Sequence, residues 1–216
     1  MTNKANTDNI FRKKILIEEW IMKLNLEEIK NKLTTKYLGR TIYYYEEINS
    51  TQDIVKENVN NYCNGSYIVT DKQTNGKGTH GRVWYDNGYE NICGSFILFP
   101  NCNANKIKDI TIIIAESMIE TIKKLYDIEL QIKYPNDIIC NSKKIAGILT
   151  ESSVKGEDVK SIVVGLGMNI NQTEFSSEIE EIATSLKKEY KETYSREDII
   201  AEFFNIFEPK YENLIK

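Results

Sequence analysis

Histidine is all but missing from this chain: one, His80, stands among 216 residues. A Ser–His–Asp triad or a Cys/His zinc cage would have to pass through that single position, which excludes most members of both classes. The four cysteines, Cys63, Cys93, Cys102 and Cys140, contain no C-x2-C pair, the spacing of zinc ribbons and redox motifs. They read as free thiols of a reducing cytoplasm. Proline occurs only at positions 100, 135 and 209, and no Pro/Gly/Ser-rich linker divides the chain, so a single main domain is expected. No apolar run approaches the ~20 residues of a membrane-spanning helix. The N-terminus, MTNKANTDNIFRKK, lacks the apolar core and small-residue site of a signal peptide. Basic residues are not in excess: 28 Lys and Arg against 32 Asp and Glu leave a net charge of −4. No global positive field exists for nucleic acid or an anionic membrane, so neither is expected as a partner.

What is present alternates between two periodicities. Leu24, Leu26, Ile29 and Leu33 approximate a helical stripe, as do the apolar residues between Ile107 and Leu125 and those between Ser195 and Ile215. Ser195 to Asp198 forms a Ser-x-x-Asp cap for the last of these. Asn49-Ser50-Thr51 caps a short helix through Val59. Strands are expected over 41–48, 66–71, 91–99, 128–134, 137–141, 144–152 and 159–168. Several strands are consecutive, so the fold class is α+β: a mixed, largely antiparallel sheet with packed helices. Residues 1–23 read as an N-terminal extension, and 24–216 as the domain.

Chemistry concentrates in four segments. Gln73 to Trp84 (QTNGKGTHGRVW) carries three glycines and two cations, Lys77 and Arg82. Gly76, Gly78 and Gly81 satisfy G-x-G-x-x-G literally, but no helix former follows, so a dinucleotide fold is not indicated. Val83 extends the match to the kinase glycine loop, yet no His-Arg-Asp or Asp-Phe-Gly exists. Backbone donors, mobile glycines and cations suit an anionic ligand such as a phosphate. The other segments are KYPND (133–137), KKIAGILTE (143–151) and GLGMN (165–169). Taken singly they read as a turn, a surface lysine pair and a bulged core strand.

In this order, with NSTQ at 49–52 upstream, the segments resemble the catalytic domain of biotin–protein ligases. The match runs over about residues 40–172. The resemblance implies a sheet related to class II aminoacyl-tRNA synthetases and two half-reactions. Biotin and Mg-ATP give biotinyl-5′-AMP, and a lysine of a biotin carboxyl carrier domain then takes the biotin as an amide. It also implies roles. Ser50, Thr51, Gln52 and Gln73 line the pocket for the biotin ring system, and Lys77, Gly78 and Thr79 close over the carboxylate. Lys144 holds the carboxylate and α-phosphate as principal catalytic cation, aided by Lys77 and Arg82. Arg82, Trp84, Lys133, Asn136, Asp137 and Asn169 serve the nucleotide, and Asp137 is the one protein candidate for Mg2+.

Departures from the family pattern accompany these matches. Its leading loop arginine is Lys77, which loses the bidentate fork, and its next arginine is Thr79, which removes a cation. Neither a helix-turn-helix domain nor a C-terminal SH3-like barrel is expected within these residues, and exposed sheet edges allow a homodimer. Two other readings stay open: a lipoate or octanoate transferase on the same fold, and a non-catalytic biotin-binding module.

Overall fold

The structure is a computed structural model and describes residues 23–216. The expectation of an N-terminal extension over 1–23 therefore lies, Lys23 apart, outside the described residues.

Seven strands form one sheet: β1 (Ile42–Ile48), β2 (Tyr67–Gln73), β5 (Ile92–Leu98), β6 (Gln131–Lys133), β7 (Asp137–Cys140), β8 (Lys143–Lys155) and β9 (Asp158–Met168). Their order is β1-β2-β5-β9-β8-β7-β6; β1 and β2 run parallel and all other neighbours antiparallel. The mixed, largely antiparallel sheet expected from the sequence is thus present, each strand within a few residues of its expected limits. A two-stranded ribbon, β3 (Gly76–Lys77) with β4 (Val83–Trp84), stands apart from it.

The two faces of the sheet are covered differently. On one, α3 (Ile110–Tyr126) and α5 (Arg196–Ile215) pack side by side, with α1 (Leu26–Lys32) against α5. Ile110, Ile114, Met118 and Ile122 recur every fourth residue along α3 and are buried, the stripe that fixes which side of the helix faces the sheet. From α5, Phe203, Phe204 and Phe207 surround Phe96 of β5 at centroid distances of 5.5–6.0 Å. Ser195 caps α5 by accepting from the Asp198 amide, as the sequence indicates. The short helix α4 (Leu186–Tyr190), capped by Ser185, has no counterpart in the sequence reading.

The opposite face carries a smaller apolar patch, Val55, Ile68, Ile97 and Val163, beneath α2 (Thr51–Glu57). Helix α2 packs on β2, β5 and β9. Beside it lies the cleft.

Candidate active site

One irregularity of the sheet decides what faces the cleft. Side chains alternate along a strand, so Lys144 and Ala146 would ordinarily share a face. The β7–β8 register instead pairs Ile138 with Ala146 and Ile139 with Lys144, leaving Ile145 as an extra residue. This bulge buries both Ile145 and Ala146 in the core and turns Lys144 to the same side as Gly147. The carbonyl of the extra residue is satisfied by the Asn169 amide at 2.8 Å. The hairpin before it has a two-residue loop, Asn141-Ser142, with φ of 48° and 68°, the positive pair that a tight β-hairpin requires.

The cleft encloses about 520 Å3. Gly147, Gly165 and Gly167 form its floor, and their lack of side chains is a steric need. A Cβ on Gly167 would lie 2.5 Å from Trp84 Cε2, and one on Gly165 would lie 2.8 Å from Gln52 Oε1. Trp84 therefore rests directly on bare backbone, and Lys144 Nζ sits 5.7 Å from its ring centroid.

Polarity is graded along the cleft. One end is neutral and hydrogen-bonded. Gln73 Oε1 accepts from the Thr51 amide at 2.9 Å; Thr51 Oγ1 lies 2.8 Å from Ser95 Oγ; Ser95 donates to Gln52 Oε1 at 3.1 Å. Gln52 in turn donates to Glu151 at 2.7 Å. Burial works to raise the Glu151 pKa, but hydrogen bonds from Lys56 and Gln52 outweigh it and hold the carboxyl below its ordinary value. Next to Gln73, burial drives the Cys93 thiol well above the ordinary thiol range, so Cys93 is no nucleophile.

The other end is cationic. Lys144 Nζ pairs with Asp137 Oδ1 at 2.6 Å; Lys77 sits nearer the neutral group, its Nζ 3.6 Å from Asp53 Oδ2 of α2. Arg82 bends back on its own loop, donating to Thr79 Oγ1 at 2.8 Å and to Thr79 O at 3.2 Å. His80 at the loop tip is exposed with φ of 57° and touches none of this. Asn136 donates to Ile148 O, and Asn169 to Thr184 O, both at 3.0 Å, which joins two loops to the sheet beside Lys144.

Of the residues singled out in the sequence, Thr51, Gln52, Gln73, Lys77, Gly78, Thr79, Arg82, Trp84, Lys133, Asn136, Asp137, Lys144 and Asn169 all line this cleft. Ser50 does not. It is fully buried as the cap of α2, accepting from the Asp53 amide at 3.3 Å, because a capping side chain must turn toward the helix it closes. Asp137 is engaged by Lys144, and no group of three or more His, Cys, Asp or Glu able to hold a metal occurs among the described residues. Missing from the sequence reading are Ser95, Glu151 and the segment from Ile179 to Ala183, which lines the cleft and accepts the Lys144 amide at Ile182 O, while the next residue, Thr184, donates its amide to Lys144 O. The carboxylate that ends KKIAGILTE stood in plain view at 151; the 179–183 segment carries no local signal.

The sequence pattern of the biotin/lipoate A/B protein ligase family matches residues 44–169, more than half the chain, and the chain belongs to that family. Within it, the chain is 35% identical over 192 residues to the bifunctional ligase/repressor BirA of Bacillus subtilis, covering 88% of this chain and 59% of that protein. It is 27% identical over 201 residues to the chloroplastic biotin–protein ligase 1 of Arabidopsis thaliana, covering 54% of it. Among solved structures, the biotin protein ligase of Aquifex aeolicus in complex with biotin and ATP superposes with a TM-score of 0.70 at 26% identity, over 81% of this chain and 71% of that one.

Proposed function

We propose that the chain is an ATP-dependent biotin–protein ligase, which activates biotin as biotinyl-5′-AMP and transfers it to a lysine of a biotin carboxyl carrier domain. The observation that carries this reading is the composition of the cleft: neutral hydrogen-bonding groups of Thr51, Gln52 and Gln73 share it with the cations Lys144, Lys77, Arg82 and Lys133. A cyclic urea needs donors and acceptors without charge, which Thr51 and Gln73 offer, with Gln52 behind them. A carboxylate attacking an α-phosphate brings two anions together, and cations must offset their repulsion.

In this mechanism Lys144 leaves Asp137 and bridges the biotin carboxylate and the α-phosphate. The carboxylate oxygen attacks the α-phosphorus and pyrophosphate leaves. Lys77 and the backbone donors of its loop close over the mixed anhydride and keep water from it. Arg82 gives up its contact with Thr79 to meet phosphate, while Trp84, Lys133, Asn136 and Asn169 border the nucleotide. The carrier lysine, as a neutral amine, attacks the acyl carbon and AMP departs. Magnesium arrives with ATP, held by phosphates and water, so a single carboxylate such as Asp137 is the most the protein needs to contribute. The free cysteines fit a reducing, cytoplasmic setting.

The test is incubation with biotin, Mg-ATP and a carrier domain, scoring pyrophosphate release and biotinylated carrier. Formation of both is expected. Product with lipoate or octanoate in place of biotin favours the transferase alternative, and tight biotin binding without pyrophosphate release favours a binding module.

A further inference from the structure

The neutral end of the cleft is wired to a carboxylate outside it. Glu151 lies on β8 and faces α2; Lys56 Nζ holds its Oε1 at 2.7 Å, and Gln52 Nε2 donates to its Oε2 at 2.7 Å. An ionised carboxylate only accepts, so the Gln52 amide has one permitted orientation, its NH2 toward Glu151 and Val163 O and its carbonyl toward Ser95. The fully buried Ser95 hydroxyl then spends its one proton on Gln52 Oε1. Its oxygen then accepts from Thr51 Oγ1 at 2.8 Å, and the Thr51 proton is shared with Gln73 Oε1 at 3.2 Å. Thr51 is left with lone pairs to offer. Independently, the Thr51 amide fixes Gln73 Oε1 as an acceptor, leaving Gln73 Nε2 to donate.

We propose that Glu151 is a positioning residue for substrate recognition: through Gln52 and Ser95 it sets the direction of the hydrogen-bond chain, so that Thr51 is left accepting toward a cyclic urea, beside the Gln73 donor that the Thr51 amide orients. This rests on the functional reading above and adds a residue to it. Gln52 is long enough to span from α2 to β8, and Gly165 leaves the room, since a Cβ there would fall 2.8 Å from Gln52 Oε1. The chain is closed at both ends: a carboxylate that cannot donate, and a backbone amide that cannot accept. Reversing any member leaves two donors or two acceptors face to face in a buried site, where mismatch is costly.

Two substitutions at 151 separate direction from mere packing. Glu151→Gln keeps an acceptor for Gln52, and Glu151→Met keeps the volume and removes it. Biotin Kd is measured by calorimetry, with thermal melts to verify folding, and kcat and the KM for Mg-ATP are measured at saturating biotin. The expected result is a biotin Kd raised about tenfold in Glu151→Met, the equivalent of one lost net hydrogen bond. Glu151→Gln should stay within about threefold of wild type, and the KM for Mg-ATP should not move in either. Should Glu151→Met fold poorly, Gln52→Leu breaks the same chain from inside and is expected to show the same biotin-specific loss. Unchanged biotin affinity in a folded Met or Leu variant overturns the proposal, as does an equal loss for biotin and Mg-ATP. A wild type that binds no biotin overturns the functional reading itself, and that arm is read before any variant.

Discussion

At the scale of single residues, the cleft is held in a waiting arrangement. Its two best-placed cations are each satisfied by the protein: Lys144 by Asp137 at 2.6 Å, Arg82 by Thr79 at 2.8 Å. In the proposed reaction both contacts give way to ligand oxygens. Lys144 is about one-third exposed, but its loss leaves the Asp137 carboxylate, 18% exposed, without a counter-ion, so folding is followed by a thermal melt. Lys144→Ala is expected to lower the rate of pyrophosphate release by a factor on the order of 100 or more, the scale of removing one preorganised donor from a developing charge, in protein that the melt shows to be folded at the assay temperature. A loss below tenfold in pyrophosphate-release assays would remove Lys144 from its central role. Thr79 is the second instructive position. An arginine there restores a loop cation and removes the hydroxyl on which Arg82 folds back, so two guanidinium groups become available to the intermediate instead of one. Thr79→Arg should therefore slow release of biotinyl-5′-AMP, measured by trapping the intermediate and following its escape; an unchanged off-rate would show that loop charge does not govern retention.

At the scale of elements, the glycines of β8 and β9 act as a pair. Gly147 and Gly167 are register partners, and Trp84 lies across both. Gly167 does not use a positive φ, so alanine there brings no backbone strain. Its methyl group does meet Trp84 Cε2 at 2.5 Å, well inside contact distance, and the indole must lift away from the floor. In a Trp20→Phe background, where Trp84 is the only indole, Gly167→Ala should red-shift the emission and raise the KM for Mg-ATP several-fold. Unaltered emission would mean that the ring is not seated on this floor. The sequence shows part of this directly. The glycines of GLGMN and the strand limits follow from residue type and spacing, and KKIAGIL marks a strand that a ligand approaches. The bulge at Ile145 does not follow, because Lys144-Ile145-Ala146 reads as an ordinary alternation until the register with β7 is known. Ser50 carries a related ambiguity: a serine before a helix is either cap or ligand contact, and the fold buries this one as the cap of α2. Nor does local pattern reveal that β5 inserts between β2 and β9. Strand order is a long-range property, carried by the Phe96 contacts with α5 more than a hundred positions away.

At the scale of the whole molecule, those long-range contacts converge on one buried ion pair. Arg196 opens α5, an unfavourable place for a cation given the positive end of the helix dipole. It is held there by Asp71 of β2, Nη1 to Oδ1 at 2.8 Å, with the arginine side chain 6% exposed and the aspartate 0%. The second Asp71 oxygen accepts from the Tyr44 hydroxyl of β1 at 2.5 Å and from the Leu24 amide at 3.5 Å, and Arg196 also donates to Asn91 O at 3.3 Å. Among the described residues, five separate stretches of chain, from residue 24 to residue 196, thus meet at this carboxylate–guanidinium contact, whose two residues do not line the cleft. Burial pushes the Tyr44 hydroxyl pKa upward, and the Asp71 carboxylate adds to the shift, so Tyr44 stays a donor throughout the physiological range. Removing one partner leaves a charge buried without its counter-ion, which costs about 3–5 kcal/mol, whereas replacing both with apolar groups of similar size is often nearly neutral. For a domain of this size each kcal/mol moves the melting temperature by about 2–4 °C. Arg196→Met should therefore melt roughly 10 °C lower, and the Asp71→Leu/Arg196→Met double variant should recover much of that. Pyrophosphate release at 25 °C should persist in the double variant, since no cleft residue is touched. A double variant as unstable as the single one would mean that the pair contributes through its hydrogen bonds to Tyr44, Leu24 and Asn91, not through its charge, and that the five stretches are joined by polar geometry that no apolar pair can replace.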